Sequence, residues 1–129
     1  LFADFTKYLP AGKAGVNLTH FTIACFGSGK PQAFTVDGWN GQSWQLIYKH
    51  EDVAIFDKDN QILSFSPGEG LKFEDQPIVG FKKLRLSILT SEKGPVKGWN
   101  NLTLSEVEFF GELNNQESRD NLRGNCFHL

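Results

Sequence analysis

The sequence predicts an all-β fold, and three observations carry that reading. Apolar and polar residues alternate at period two in short stretches. Gly, Pro, Asn and Asp divide those stretches at the spacing of turns. No long segment carries the periodicity of an amphipathic helix. The bulk numbers agree. A chain of 129 residues, 40% hydrophobic and 13% aromatic, is one domain's worth and long enough to bury a core. Its Gly 13, Phe 12 and Pro 5 lean towards strands and turns.

The elements follow in order. Residues 16–18 and 21–25 form an early strand region, broken by Gly27-Ser28-Gly29-Lys30-Pro31. Residues 34–38 are a second strand and 43–48 a third. Residues 53–56 and 62–65 are shorter strands, with a loop at Pro67-Gly68-Glu69-Gly70. Residues 81–89 place Leu84, Leu86 and Ile88 on one face and Arg85 and Ser87 on the other. Residues 102–110 are the last clear strand, and the polar stretch from Asn114 reads as a tail or a short helix.

Side-chain parity sharpens two of these elements. A two-residue Asn40-Gly41 turn would set Phe34 and Val36 on the face opposite Trp44 and Leu46. A three-residue loop, Trp39-Asn40-Gly41, pairs Val36 with Trp44 and Phe34 with Leu46, so all four point inward, with Gly41 at positive φ. That register expects Trp39 at an exposed loop tip and Trp44 in the core. In the last strand Leu102 and Leu104 share one parity and Val107 and Phe109 the other, which expects a bulge near Ser105-Glu106.

Composition excludes several function classes. Charged residues are 22% and the net charge is −2, so nothing draws the chain to nucleic acid. No apolar run approaches the ~20 residues of a membrane helix, and the first residues have no signal-peptide pattern. Cys25 and Cys126 are too few for a disulfide scaffold; they either pair once or are two separate thiols, with Cys25 buried at the end of an apolar-alternating run. His20, His50 and His128 are scattered without metal-ligand spacing, and Asp57-Lys58-Asp59-Asn60 lacks the glycine and glutamate of a calcium loop. No metal or other cofactor is expected. Asn17-Leu18-Thr19 and Asn101-Leu102-Thr103 fit the glycosylation pattern. No motif joins a nucleophile to a base, so no enzyme is expected. The absence of Met suggests a processed chain or a piece of a longer one.

Three segments carry a family resemblance. Phe34-Thr35-Val36-Asp37-Gly38-Trp39-Asn40-Gly41-Gln42-Ser43-Trp44-Gln45-Leu46 resembles the central hairpin of coagulation-factor type C (discoidin) domains, an F-x-V-x-G strand, a turn and W-x-x-L. Lys83-Leu84-Arg85-Leu86-Ser87-Ile88 resembles the family's penultimate strand. Leu102-Thr103-Leu104-Ser105-Glu106-Val107-Glu108-Phe109-Phe110-Gly111 is similar to its closing strand. The resemblance covers residues 16–112 and implies a jelly-roll β-sandwich of the galactose-binding-like type. It places a discoidin-like domain at residues 1–112 and a polar tail at 113–129. It also implies a non-catalytic module at a cell or particle surface, an extracellular setting, in which loops at one end bind sugar, lipid head groups or protein. The family's opening segment, with its cation-associated loop and an aromatic binding loop, has no counterpart before Val16. A shortened domain, or one completed by another segment or chain, is therefore expected, and no calcium motif is seen.

The resemblance also points to site residues. In the loop before the closing strand, Trp99 is a stacking platform for a sugar face, and Asn100 and Asn101 take its hydroxyls. Lys30 and Gln32 sit in the loop whose counterpart supplies polar contacts; the competing reading is a solvated turn. Trp39 at the hairpin tip suits contact with a partner chain or membrane surface, or folds back onto the sheet. Carbohydrate recognition is thus the leading expectation. The alternative is a structural or assembly domain in a larger complex, such as a virus or phage particle or a multidomain adhesin.

Overall fold

A computed structural model describes residues 2–4, 13–27, 29–51, 54–58, 60–68, 71–96, 106–115 and 126–128. The strands, in chain order, are β1 (Phe2–Asp4), β2 (Lys13–Phe26), β3 (Pro31–Trp39), β4 (Trp44–His50), β5 (Asn60–Phe65), β6 (Lys83–Ser91), β7 (Gly94–Pro95), β8 (Glu106–Asn115) and β9 (Cys126–His128). There is no helix among the described residues. One sheet runs β1-β6-β3-β4, with β7 also on β6; the other runs β5-β2-β8-β9. Every pairing is antiparallel. The two sheets pack face to face as a β-sandwich, within the all-β class that the alternation predicted.

β2 is the spine of the second sheet. Val16 and Leu18 are buried at even positions, and Phe21, Ile23 and Cys25 at odd ones. A straight strand cannot bury both sets. The ladder to β8 shifts register between Leu18 and His20, so the strand changes parity there and both sets face the core. Phe21 is the hub of the aromatic core. It stacks on Phe65 at 4.8 Å between ring centroids and meets Phe34 edge-on at 6.3 Å. Phe34, Val36, Leu84 and Leu86 complete the opposing sheet's inner face.

The β3–β4 hairpin corrects the parity argument above. Trp39 pairs with Trp44, Gly38 with Gln45 and Asp37 with Leu46, so the loop is the four residues 40–43 rather than three. Asn40 Oδ1 accepts the N–H groups of Gln42 and Ser43, and Gly41 takes φ +101°. The register then shifts between Val36 and Asp37, so that Val36 faces Tyr48 and Ile47 is the extra residue. The bulge turns Ile47 and Tyr48 onto the core and leaves Trp44 and Leu46 on the outer face. Trp44 is therefore not a core residue, and Trp39 is not at an exposed tip: it ends β3, half-buried. Apolar alternation demanded an adjustment of one residue, and the chain placed it inside the strand instead of the loop.

Other expectations fare variously. Of the strand expected at 53–56, Val53 lies outside the described residues and 54–56 carry none, although Ile55 and Phe56 still pack on the core. Residues 62–65 lie in β5 as read. The expected bulge at Ser105-Glu106 falls partly outside the described residues, which hold β8 only from Glu106, with Phe109 and Leu113 buried. The stretch read as a tail contributes an edge strand, since β9 pairs with β8. Of the residues before Val16, Phe2–Asp4 form β1 along β6.

The segment from Phe73 to Phe81 closes one side. The Gln76 side chain takes the place of a strand beside Leu18: its Oε1 accepts the Leu18 N–H at 2.7 Å and its Nε2 donates to the Leu18 carbonyl at 2.9 Å. Phe81 exchanges two backbone hydrogen bonds with Val16. Its ring stands directly over Gly38, where a Cβ would lie 2.3 Å from the nearest ring atom.

Candidate functional site

The residues singled out in the sequence occupy different parts of the fold. Trp99, Asn100 and Asn101 lie outside the described residues. Lys30 is not a solvated turn residue. It is buried in the connection from β2 to β3, its Nζ is 3.3 Å from Glu92 Oε1, and its carbonyl accepts the Glu92 N–H. The pair ties the β2–β3 connection to the β6–β7 turn. Gln32 is half-buried on β3. Trp39 stands at the other end of β3, about 23 Å from Gln32 at 3.3 Å per residue. Lys30 and Gln32 are thus brought together, and Trp39 is not brought to them.

Trp39 instead belongs to a layer on the outer face of the first sheet. Its ring meets Trp44 edge-on at 5.5 Å, and Lys83 Nζ lies 5.7 Å above it. The Arg85 guanidinium lies 4.0 Å over Trp44, and its Nη2 donates to Asp37 Oδ2 at 3.2 Å. Arg85 Nε is buried with no hydrogen-bond partner among the described residues. Each cation covers an aromatic face, and Asp37 balances Arg85. Register carries this layer: Asp37 opposes Arg85, and Trp39 opposes both Lys83 and Trp44. Its electrostatics are largely matched within the sheet.

The second sheet offers a different surface. Ala24 on β2 opposes Ile62 on β5 and Glu106 on β8. In the next row Phe26 opposes Asn60. A small side chain between larger neighbours leaves a hollow. An open depression of about 580 Å³ is lined there by Ala24, Cys25, Phe26, Asn60, Gln61, Ile62 and Glu106. Phe26 is 49% exposed and Ile62 70% exposed, so the hollow presents apolar surface to solvent. Gln61 Oε1 accepts the N–H groups of Asp57 and Lys58 and holds the turn beside it. The depression borders the end of β2 that leads into the Lys30 turn and the start of β8, the strand that follows the Trp99 segment. It combines an aromatic ring, an aliphatic side chain, amide groups and one carboxylate. That mixture suits a small amphipathic ligand.

The sequence reading passed over Phe26, Asn60, Gln61, Ile62 and Ala24. Two apolar residues on the polar parity of their strands, Phe26 and Ile62, were the available signal. Their convergence depends on the β5-β2-β8 order, which local patterning does not encode.

Other features resolve in structural terms. Asn17 Nδ2 donates to the Pro77 carbonyl at 3.0 Å and its Oδ1 accepts from Asn114, so this sequon asparagine is engaged within the fold. Cys25 is buried as expected. Cys126 opposes Glu112 on β8, which opposes Asn17 on β2, eight positions from Cys25. His20 stacks on Phe110 at 4.2 Å, and His50 on Phe34 at 4.9 Å. Among the described residues no three His, Cys, Asp or Glu side chains group to hold a metal, and no helix is long and apolar enough to cross a membrane. No protein-family model, curated protein or solved structure matches the chain.

Proposed function

We propose that this protein is a non-catalytic binding module that recognises carbohydrate at one end of the sandwich. The observation that carries the reading is the depression beside the β2–β3 connection, where exposed Phe26 and Ile62 stand among Asn60, Gln61 and Glu106. An aromatic face packs against the C–H face of a pyranose, and the Asn60 amide supplies a donor and an acceptor to its hydroxyls. The resemblance of the hairpin, the penultimate strand and the closing strand to discoidin domains supports a galactose-binding-like jelly-roll and the same ligand class. It also favours an extracellular or particle-surface setting. The same resemblance assigns Trp99, Asn100 and Asn101, which precede β8 in the sequence, to sugar contact. A glycan array with the wild type, Phe26→Ala and Trp99→Ala tests it. Binding to a defined glycan set that either variant weakens supports the reading. No binding at millimolar sugar overturns it.

A second reading is a structural or assembly domain that contacts other chains. Exposed Ile78, Val79 and Leu89, away from the depression, favour it. Size-exclusion chromatography separates the two: a monomer at high concentration counts against assembly by self-contact.

A further inference from the structure

We propose that the edge strand β5 pairs antiparallel with β5 of a second copy of this chain, with Ile62 of each copy opposite Ile62 of the other. The sheet edges differ in how they are guarded. β1, β7 and β9 are only two or three residues long. β4 is covered: the Glu74 N–H donates to the Ile47 carbonyl at 2.7 Å, and Gln45 Nε2 reaches the Asp75 carbonyl at 2.7 Å. Lys49 also puts a charge on that strand. β5 has no such guard. It runs six residues, Asn60–Phe65, with no charged residue and no proline. Its ladder to β2 keeps one register throughout, without a bulge. An antiparallel strand turns the N–H and C=O of alternate residues to each side. Among the described residues nothing pairs with β5 on the side away from β2.

The side chains of β5 fit a copy of themselves. Asn60, Ile62 and Ser64 are exposed and alternate with the more buried Gln61, Leu63 and Phe65. A two-fold axis beside Ile62 keeps the exposed set on one face of the joined sheet. Ile62, 70% exposed, then meets its own copy, and Asn60 opposes Ser64, an amide against a hydroxyl. The flanking charges do not collide: in this register Lys58 falls opposite Ser66 and Asp57 opposite Pro67. Six residues a side is well below the roughly 20–30 of a standard interface, so the dimer is reversible. Pairing takes the edge of the strand and leaves the outer face over Ala24 open, so it does not depend on the carbohydrate reading.

Sedimentation equilibrium up to millimolar protein, with disulfide trapping, tests the pairing. The wild type is expected to show a reversible monomer–dimer equilibrium, and Ile62→Lys, which sets two ammonium groups face to face, should weaken it at least tenfold. Opposed Cα atoms lie about 4.5–5.5 Å apart, within the reach of a disulfide. Ile62→Cys should therefore oxidise to a linked dimer faster than the wild type, which carries Cys25 and Cys126 as background. Ser64→Cys alone should not, whereas Ser64→Cys mixed with Asn60→Cys should. Far-UV circular dichroism verifies that the variants fold. A wild type that stays monomeric overturns the proposal and leaves the carbohydrate reading standing. A dimer that Ile62→Lys does not weaken and Ile62→Cys does not trap overturns it and places the contact elsewhere. Ser64→Cys linking to itself as fast as Ile62→Cys overturns the register. A monomer whose β5 amides gain hydrogen-exchange protection only from an unrelated extended peptide overturns self-pairing in favour of a foreign strand.

Discussion

Gly38→Ala is the sharpest single perturbation of the sandwich. An alanine in a strand interior normally stabilises relative to glycine by roughly 0.5–1 kcal/mol, because glycine loses more backbone freedom on folding. Here packing sets the opposite sign. The added methyl would lie 2.3, 2.4 and 2.5 Å from three carbons of the Phe81 ring, more than 1 Å inside ordinary contact. Phe81 is fully buried and its backbone is tied to Val16 by two hydrogen bonds, so the ring has nowhere to withdraw. Overpacking of this kind costs about 1–3 kcal/mol, and an overlap this deep belongs at the top of that range. The net expectation is a loss of about 2 kcal/mol, on the order of 8 °C in Tm for a domain of this size. Urea denaturation with Phe81→Leu and the double variant completes a cycle. Phe81→Leu alone destabilises, but Gly38→Ala added to it should cost far less than in the wild type, because the ring that clashes is gone. If Gly38→Ala is neutral or stabilising, or if the two losses simply add, the packing argument is refuted.

Three further outcomes are expected. Glu92→Gln should lower stability by about 1–2 kcal/mol, discounted because Glu92 is a third exposed, whereas Lys30→Met should be close to neutral, since an apolar chain of similar shape needs no counter-charge; chemical denaturation checks both. Gln76→Ala should cost about 1–2 kcal/mol and speed hydrogen exchange at the Leu18 amide, because that side chain serves both backbone groups of Leu18. Burial raises the Tyr48 hydroxyl above its ordinary pKa of 10.0. The folded state therefore holds that proton more tightly than the unfolded state, so the contribution is complete below pH 10 and is lost as pH rises through the folded value. Alkaline unfolding monitored by fluorescence should be less steep above pH 10 in Tyr48→Phe.

Much of the fold was legible because burial leaves a local mark. Leu84 and Leu86 against Arg85 and Ser87 alternate in the sequence and alternate in the sheet. The parity change between Leu18 and Phe21 is likewise visible along the chain, and a bulge is its physical outcome. The same logic identified the need for an adjustment in the β3–β4 hairpin but misplaced it. Parity counts residues modulo two, and an extra residue in the loop or at Ile47 satisfies it equally well. The choice fell to the side-chain bonds of Asn40, which close a four-residue turn, and to the layer of Trp39, Trp44, Lys83 and Arg85, which gains by keeping both indoles outside.

The candidate site shows the other limit. Lys30 was identified by the loop it occupies, yet its burial against Glu92 depends on a turn in a different hairpin. Ala24 is unremarkable in its strand, and only its two neighbours, Ile62 and Glu106, make it the floor of a hollow. The sequence by itself determined that this chain is a two-faced β structure, because alternation and turn residues are properties of neighbours along the chain. The tertiary structure alone decided which strands lie side by side, and with them the depression at Phe26. Sheet order brings together residues far apart in the chain, and no local periodicity records that choice.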